Sequence, residues 1–289
     1  MTVGIVGLGI MGSAYAANLV DAGVAVAGAD PSDEARQRLV SAGGTAHESA
    51  GPWLAQCDLV ILALASPKIL GEVSQALGDL LEPGQVVVET GTFALADKLA
   101  AQAAVERSGA VLLDSPVSGT GAQAASADLV FMASGPADAI ETARPYLRHI
   151  CHTVIEAGPF GAGSKLKYVA NHAVALHNCA AAETLHYADA LDLDREVVYR
   201  MLSNGAGQSR MSDLRMPLMI EGRYEPATAQ MSMFEKDLSI IGDDIRAHDV
   251  YTPMFEVVDR VYSKAWENIP KDWDTAAVFE VYRRKDRRE

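Results

Sequence analysis

The sequence predicts an α/β protein, a doubly wound parallel sheet followed by an all-helical domain. Three observations predict it. Short apolar runs without alternation recur between helical stretches over the first half, the pattern of strands covered on both faces. A glycine-rich turn, Gly7-Leu8-Gly9-Ile10-Met11-Gly12, directly follows the first of these runs. After about residue 161 the strand signal stops and helical spacing takes over.

Taken in order, Val3-Gly4-Ile5-Val6 is the first strand, and Ser13 to Ala22 is a helix closed by Gly23. Val24 to Ala29 is the second strand, ending at Asp30, and Asp33 to Ala42 is a polar helix. Leu59 to Leu64 is a third strand, with Val86-Val87-Val88 and Val111-Leu112-Leu113 of the same kind. Helical segments at Lys68–Leu80 and Ala94–Ser108 lie between them, and Val130 to Ala133 makes a sixth strand. Strand–helix repetition of this period is that of a parallel sheet. The composition changes near Pro159–Gly163, which sets the domains at 1–160 and 161–289. The second domain opens with an Ala-rich helix from Ser164 to Leu191. Further helices are predicted at Arg195–Leu202, Ser212–Glu221, Ser232–Ala247, Pro253–Asn268 and Thr275–Arg284, with Pro253 and Thr275 at favourable first positions.

Composition narrows the function. The 289 residues carry 24 Lys and Arg against 38 Asp and Glu, a formal net charge of −14. Such a chain is repelled by nucleic-acid backbones and anionic membranes, so neither partner is expected. The basic stretch Arg283-Arg284-Lys285-Asp286-Arg287-Arg288 reads as a solvated tail. Cys57, Cys151 and Cys179 are odd in number and far apart, which suggests neither disulfides nor a zinc site. The longest apolar stretch besides the first, Leu59 to Ala65, is too short to span a bilayer. A cytoplasmic protein is expected. No H-x-x-x-H pattern and no G-x-S-x-G elbow is present, so metal chemistry and serine hydrolysis are not expected.

The glycine loop carries the first chemical signal. In a G-x-G-x-x-G between a strand and a helix, Gly7 permits the tight turn and Gly9 lets the backbone approach a pyrophosphate. Gly12 allows close helix–strand packing, while Ile10 and Met11 open the helix whose N-terminus faces the phosphates. This is the context of a Rossmann-type dinucleotide site. Asp30 ends the second strand, eighteen residues after Gly12. A carboxylate there accepts from the ribose hydroxyls and repels a 2′-phosphate, which favours NAD over NADP. Arg36 and Arg38, in the following helix, are the cations that a 2′-phosphate could use.

Four blocks in order then resemble the β-hydroxyacid dehydrogenases, the group that includes 3-hydroxyisobutyrate dehydrogenase and tartronate semialdehyde reductase. They are the glycine loop with Asn18-Leu19, Asp114-Ser115-Pro116-Val117-Ser118-Gly119, Gly161-Ala162-Gly163-Ser164-Lys165-Leu166-Lys167 with Asn171, and Lys236-Asp237-Leu238. The resemblance implies a hydride transfer between a nicotinamide cofactor and a small 3-hydroxy acid or its semialdehyde. It implies that Lys167 is the general acid/base and that Asn171, four residues on and so on the same helix face, orients lysine and substrate. A lysine in this role needs its ordinary pKa of about 10.4 lowered by burial or a nearby cation. Ser118, Gly119 and Thr120, with Lys167 and Asn171, would bind the substrate carboxylate and hydroxyl. Thr92, Leu64, Ala65 and Lys236 would join Gly7, Gly9, Ile10, Met11, Gly12 and Asp30 at the cofactor. Lys165 is assigned to solvent, and His172 to packing or the pocket wall.

The chain departs from the family at the substrate loop. After Ser118-Gly119 the family usually has a further glycine, then G-A and G-T-L. Here stand Thr120, Gln123-Ala124 and Ala127-Asp128-Leu129, so the loop must take another path or present side chains. Ala170 also stands where many members have an asparagine, and Leu64-Ala65 where they have Leu-Pro. Two other readings remain at this level: an imine reductase-like enzyme, which typically lacks the lysine, and a non-catalytic nicotinamide-nucleotide sensor. The helical domain, rich in Ala and Met, is expected to form a homodimer or homotetramer.

Overall fold

The computed structural model describes residues 1–285. Of the basic stretch, Arg283 lies 3.0 Å from Glu280, and residues 286–289 are outside the described part. The chain divides into two compact units, the first ending at Lys167 and the second starting at Tyr168. The sequence-based division at 160/161 falls just before the long helix α7 (Ala162–Ala190), whereas the contacts divide within its first turns.

The first unit runs β1 (Thr2–Val6), α1 (Ile10–Asp21), β2 (Ala25–Ala29), α2 (Asp33–Ser41), β3 (Thr45–His47), β4 (Leu59–Leu62) and α3 (Pro67–Leu80). It continues with β5 (Val86–Glu89), α4 (Leu95–Val105), β6 (Val111–Asp114), β7 (Val117–Ser118), α5 (Gly121–Ala125), β8 (Val130–Ser134), α6 (Ala137–Leu147) and β9 (Thr153–Gly158). The strand order is β3-β2-β1-β4-β5-β6-β8-β7, with β9 paired to β8. From β3 to β6 every pairing is parallel, and the order reverses at the β1/β4 junction, where open α/β sheets bind ligands.

Alternate residues of each central strand serve opposite faces, as a strand's two-residue period requires. Val3, Ile5, Leu59, Ile61, Val86 and Val88 pack with Tyr15 and Leu19 of α1 and Leu39 of α2. Val6, Val60, Leu62 and Val87 pack with Leu70 and Leu77 of α3 and Ala101 and Val105 of α4. That two-sided burial is why these strands read as unbroken apolar runs.

Three strands and two helices escaped the sequence reading. β3 and β7 are very short, and β9 is half exposed, so none carries a strong apolar signal. α5 is little more than one turn, and α6 contains Pro145, a residue that in sequence ordinarily ends a helix. The sheet is also not parallel throughout, because β8 runs antiparallel to β6 and β7. Between β6 and β8 the chain is taken up by the short strand β7 and the short helix α5 rather than by a full crossover helix.

The second unit is helical: the rest of α7, α8 (Arg195–Ser203), α9 (Arg210–Glu221), α10 (Met231–Ala247), α11 (Pro253–Asn268) and α12 (Phe279–Lys285). Its core gathers Ala175, Cys179, Ala182 and Leu185 of α7 with Met216, Met219, Phe234, Leu238, Phe255, Tyr262 and Phe279. The segment predicted as one helix from Thr275 is a 3-10 turn, Thr275–Val278, that leads into α12. Among the described residues no helix is long and apolar enough to cross a membrane.

Candidate active site

Candidate site residues occur in each of the two units. In the first unit, the residues singled out for the cofactor follow the carboxyl ends of parallel strands, which share one edge of the sheet. Gly7 follows β1, Asp30 follows β2, Leu64 and Ala65 follow β4, and Thr92 follows β5. Gly7 has φ +95, and a Cβ there would lie 2.3 Å from the Ala63 carbonyl oxygen. A Cβ on Gly12 would lie 1.9 Å from the Gly7 carbonyl oxygen. Only glycine fits either position. Gly9, the cap residue of α1, has nothing within 4 Å of its Cβ position, so its backbone is open to a ligand. Ile10 is exposed and Met11 packs against the core of the unit.

Asp30 is held by the loop it serves. Its Oδ2 accepts from Leu8 N–H at 2.8 Å and its Oδ1 from Ser32 N–H at 2.8 Å. A carboxylate has about four lone-pair sites, so acceptors remain for hydroxyl donors. Arg36 Nη1 donates to the carbonyl oxygens of Asp30 and Pro31 at 2.8 and 2.9 Å, and Nη2 donates to Asp33. Arg38 pairs with Glu34 at 2.8 Å. Both cations are thus engaged by nearby acceptors, and Arg36 also lies 4.0 Å from Glu48 beyond β3.

The substrate loop answers its missing glycines with a cap. Ser118 and Gly119 are exposed, and Gly119 has φ +141. Thr120 caps α5: its N–H donates to Gln123 Oε1 at 3.0 Å, and its Oγ1 accepts from Gln123 N–H at 3.4 Å. Gln123 Nε2 in turn donates to Asp128 at 3.2 Å. Ala127 keeps a left-handed φ of +55, which costs a non-glycine residue about 1–2 kcal/mol. The loop presents side chains and bears backbone strain.

Beneath that edge lies a charged cluster that sequence reasoning missed. Lys98 of α4 is fully buried and donates to Glu89, to the Gly91 carbonyl at 2.8 Å and to Asp114 Oδ1 at 3.0 Å. Burial, which outweighs the neighbouring ammonium, holds Glu89 above the usual carboxylate range. Burial alone would depress Lys98, yet the Glu89 and Asp114 carboxylates hold it above its ordinary value. Asp114 then reaches the first turn of α7, where its Oδ2 accepts from Ser164 N–H and its Oδ1 from Ser164 Oγ, both at 2.8 Å. It satisfies donors that a helix start otherwise leaves unpaired. Lys167 stands three residues beyond Ser164 and is partly buried, whereas Lys165 is exposed.

In the second unit, Asn171 is buried and its Nδ2 donates to Asp237 Oδ2 at 2.8 Å. Lys236 Nζ lies 3.2 Å from Asp237 Oδ1. The structure thus joins the third and fourth sequence blocks through Asp237. Only its place in Lys236-Asp237-Leu238 marked it in the sequence. His172 stacks on Phe255 with ring centroids 5.1 Å apart, and burial lowers its pKa, the environment of a packing residue. Among the described residues no group of three or more His, Cys, Asp or Glu side chains could hold a metal ion.

The fold and this edge define a nicotinamide-nucleotide-dependent oxidoreductase, and comparison with known proteins specifies the family. Residues 2–158 match the NAD binding domain of 6-phosphogluconate dehydrogenase, and residues 161–282 match the NAD-binding domain of NADP-dependent 3-hydroxyisobutyrate dehydrogenase. The chain is 30% identical to an L-threonate dehydrogenase of Cupriavidus necator, over 97% of this chain and 95% of that protein. It is 27% identical to a probable 3-hydroxyisobutyrate dehydrogenase of Mycobacterium tuberculosis, over 98% of each. The solved structure of the M. tuberculosis 3-hydroxyisobutyrate dehydrogenase with L-serine superposes at TM-score 0.89, covering 98% of this chain and 99% of that one. The chain belongs to the β-hydroxyacid dehydrogenase family and is an NAD(P)-linked oxidoreductase of hydroxy acids. These relatives do not favour the imine reductase-like or the non-catalytic reading.

Proposed function

We propose that the protein is an NAD-dependent dehydrogenase of a small 3-hydroxy acid, working reversibly on the matching semialdehyde. The observation that carries it is the joining of the catalytic and cofactor blocks through Asn171 and Asp237. Gly7, Gly9, Ile10, Met11 and Gly12 would hold the pyrophosphate, Asp30 the ribose, Leu64 and Ala65 the adenosine side, and Thr92 and Lys236 the nicotinamide side. When bound, the nicotinamide would supply the hydride acceptor for oxidation of the substrate carbon and the hydride donor for the reverse direction. Lys167 Nζ takes the hydroxyl proton during oxidation and gives it back to the carbonyl oxygen during reduction. Asn171 orients the substrate hydroxyl. Ser118 and Gly119 hold the carboxylate through a hydroxyl and exposed backbone, and Thr120 closes the loop behind them.

NAD would be preferred over NADP because the Asp30 carboxylate would meet the ribose and repel a 2′-phosphate, while both nearby arginines already have partners. Nicotinamide absorbance is followed with NAD and NADP against small 3-hydroxy acids, L-threonate and 3-hydroxyisobutyrate among them. Turnover with NAD supports the reading. Silence across the panel with NADH still bound overturns it. Asp30→Asn, which keeps one oxygen for Leu8, should raise the KM for NAD by roughly ten- to a hundredfold, the worth of a charged hydrogen bond, and should narrow the preference over NADP.

Assembly is read from the helical unit, where Val169, Tyr187, Met201 and Met254 are all more than half exposed. Large exposed apolar side chains in such number fit a homodimer or homotetramer formed through this unit. Light scattering at micromolar concentration should show at least a dimer, and a monomer contradicts it. The three buried thiols, which burial pushes up to about 11 for Cys57 and Cys151 and about 12 for Cys179, fit the reducing cytoplasm we assign to the protein. Cell fractionation checks that assignment.

A further inference from the structure

We propose that Asp237 is a positioning residue that determines which end of the Asn171 amide serves the reaction. The inference rests on the hydroxy-acid reading above. An asparagine amide has a donor end and an acceptor end, and which faces a substrate decides what it can recognise. Here the choice is forced. The Asp237 carboxylate only accepts, so the nitrogen of Asn171 must face it, as the 2.8 Å contact from Nδ2 to Oδ2 shows. The other carboxylate oxygen is buried without a hydrogen bond, and Lys236 Nζ lies 3.2 Å from it as an ion-pair neighbour. Asn171 and Asp237 are both largely buried, so water competes poorly for the pair.

With its nitrogen committed, Asn171 offers Oδ1 as an acceptor. A substrate hydroxyl and a protonated Lys167 are both donors, and Lys167 is four residues away on α7. A fixed acceptor therefore suits the alcohol in the oxidative direction and the ammonium in the reductive one. An amide turned the other way would present N–H groups to those same donors. Asp237 touches neither substrate nor cofactor in this account and acts through Asn171.

The test is a double-mutant cycle on the full-length protein. Asp237→Ala should lower kcat by roughly ten- to a hundredfold. In an Asn171→Ala background the same change should cost nothing further. Equal loss in both backgrounds, or a folded Asp237→Ala enzyme with wild-type kcat, overturns the proposal. Where the alanine variant does not fold, the cycle is run with Asp237→Asn, whose own amide lets Asn171 take either orientation. Its kcat loss should be smaller and should again vanish with Asn171→Ala. A readout apart from activity is the solvent exchange of the Asn171 side-chain amide protons, identified by their absence in Asn171→Ala. Exchange should speed up in Asp237→Asn, and unchanged exchange overturns the proposal. Lys167→Ala keeps the two questions apart: full activity there sinks the reaction assignment, whereas loss there with an additive Asp237 effect sinks only the positioning role.

Discussion

Lys167→Ala should lower kcat for hydroxy-acid oxidation by roughly 10²–10⁴, the contribution of a positioned general acid or base. NADH affinity should stay within a few-fold of wild type, since most of the residues proposed for the cofactor follow β1, β2, β4 and β5 and Lys167 is assigned to the proton rather than to the cofactor. The built environment supports so large an effect. Asp114 pins the first turn of α7 through Ser164, and Lys167 follows within a turn on the same helix. Lys165→Ala is the internal control, because that side chain is exposed and assigned to solvent. A Lys167→Ala enzyme with near wild-type kcat would refute the assignment of the proton to this residue, as would a Lys165→Ala enzyme with the larger loss.

Lys98→Met should destabilise the protein by about 3–5 kcal/mol, because it leaves buried carboxylates without their cation. At about 2–4 °C per kcal/mol for a unit of this size, the Tm should fall by roughly 6–20 °C. The deficit should also depend on pH with a defined sign. Burial already holds Glu89 above the usual carboxylate range. Without Lys98 that tendency strengthens, and a carboxyl whose folded pKa is raised loses stability as pH rises through it. The variant should therefore compare worse with wild type at pH 8 than at pH 5. Adding Glu89→Gln removes one of the stranded charges and should recover much of the loss. Urea denaturation that finds Lys98→Met less than about 1 kcal/mol below wild type at pH 8 would show that the cluster is not held by its charge pairing.

Much of the fold was legible in the sequence because its signals are local. Apolar runs such as Leu59 to Leu62 are buried on both faces, so continuity alone identifies them as central strands. Gly7 and Gly12 sit where a Cβ would strike backbone, so the loop's geometry is written in residue type. Pro253 and the Ala-rich run of α7 mark helices by the same local chemistry. β9 and β7 were not legible, since their pairing partners rather than their own side chains make them strands.

The site divides in the same way. By itself the sequence determined the dinucleotide loop, Asp30, the order of the four blocks and hence the family, because each depends on residue type at short spacing. Tertiary structure alone decided what those residues touch. It engaged Arg36 and Arg38 with nearby acceptors, and it turned Thr120 and Gln123 onto each other in place of glycines. It also brought Lys98 to Glu89 and Asp114, and Asp237 to Asn171 across 66 residues of chain. A buried charge or amide is satisfied by whatever the fold carries to it, and partners so distant in the chain leave no periodic trace.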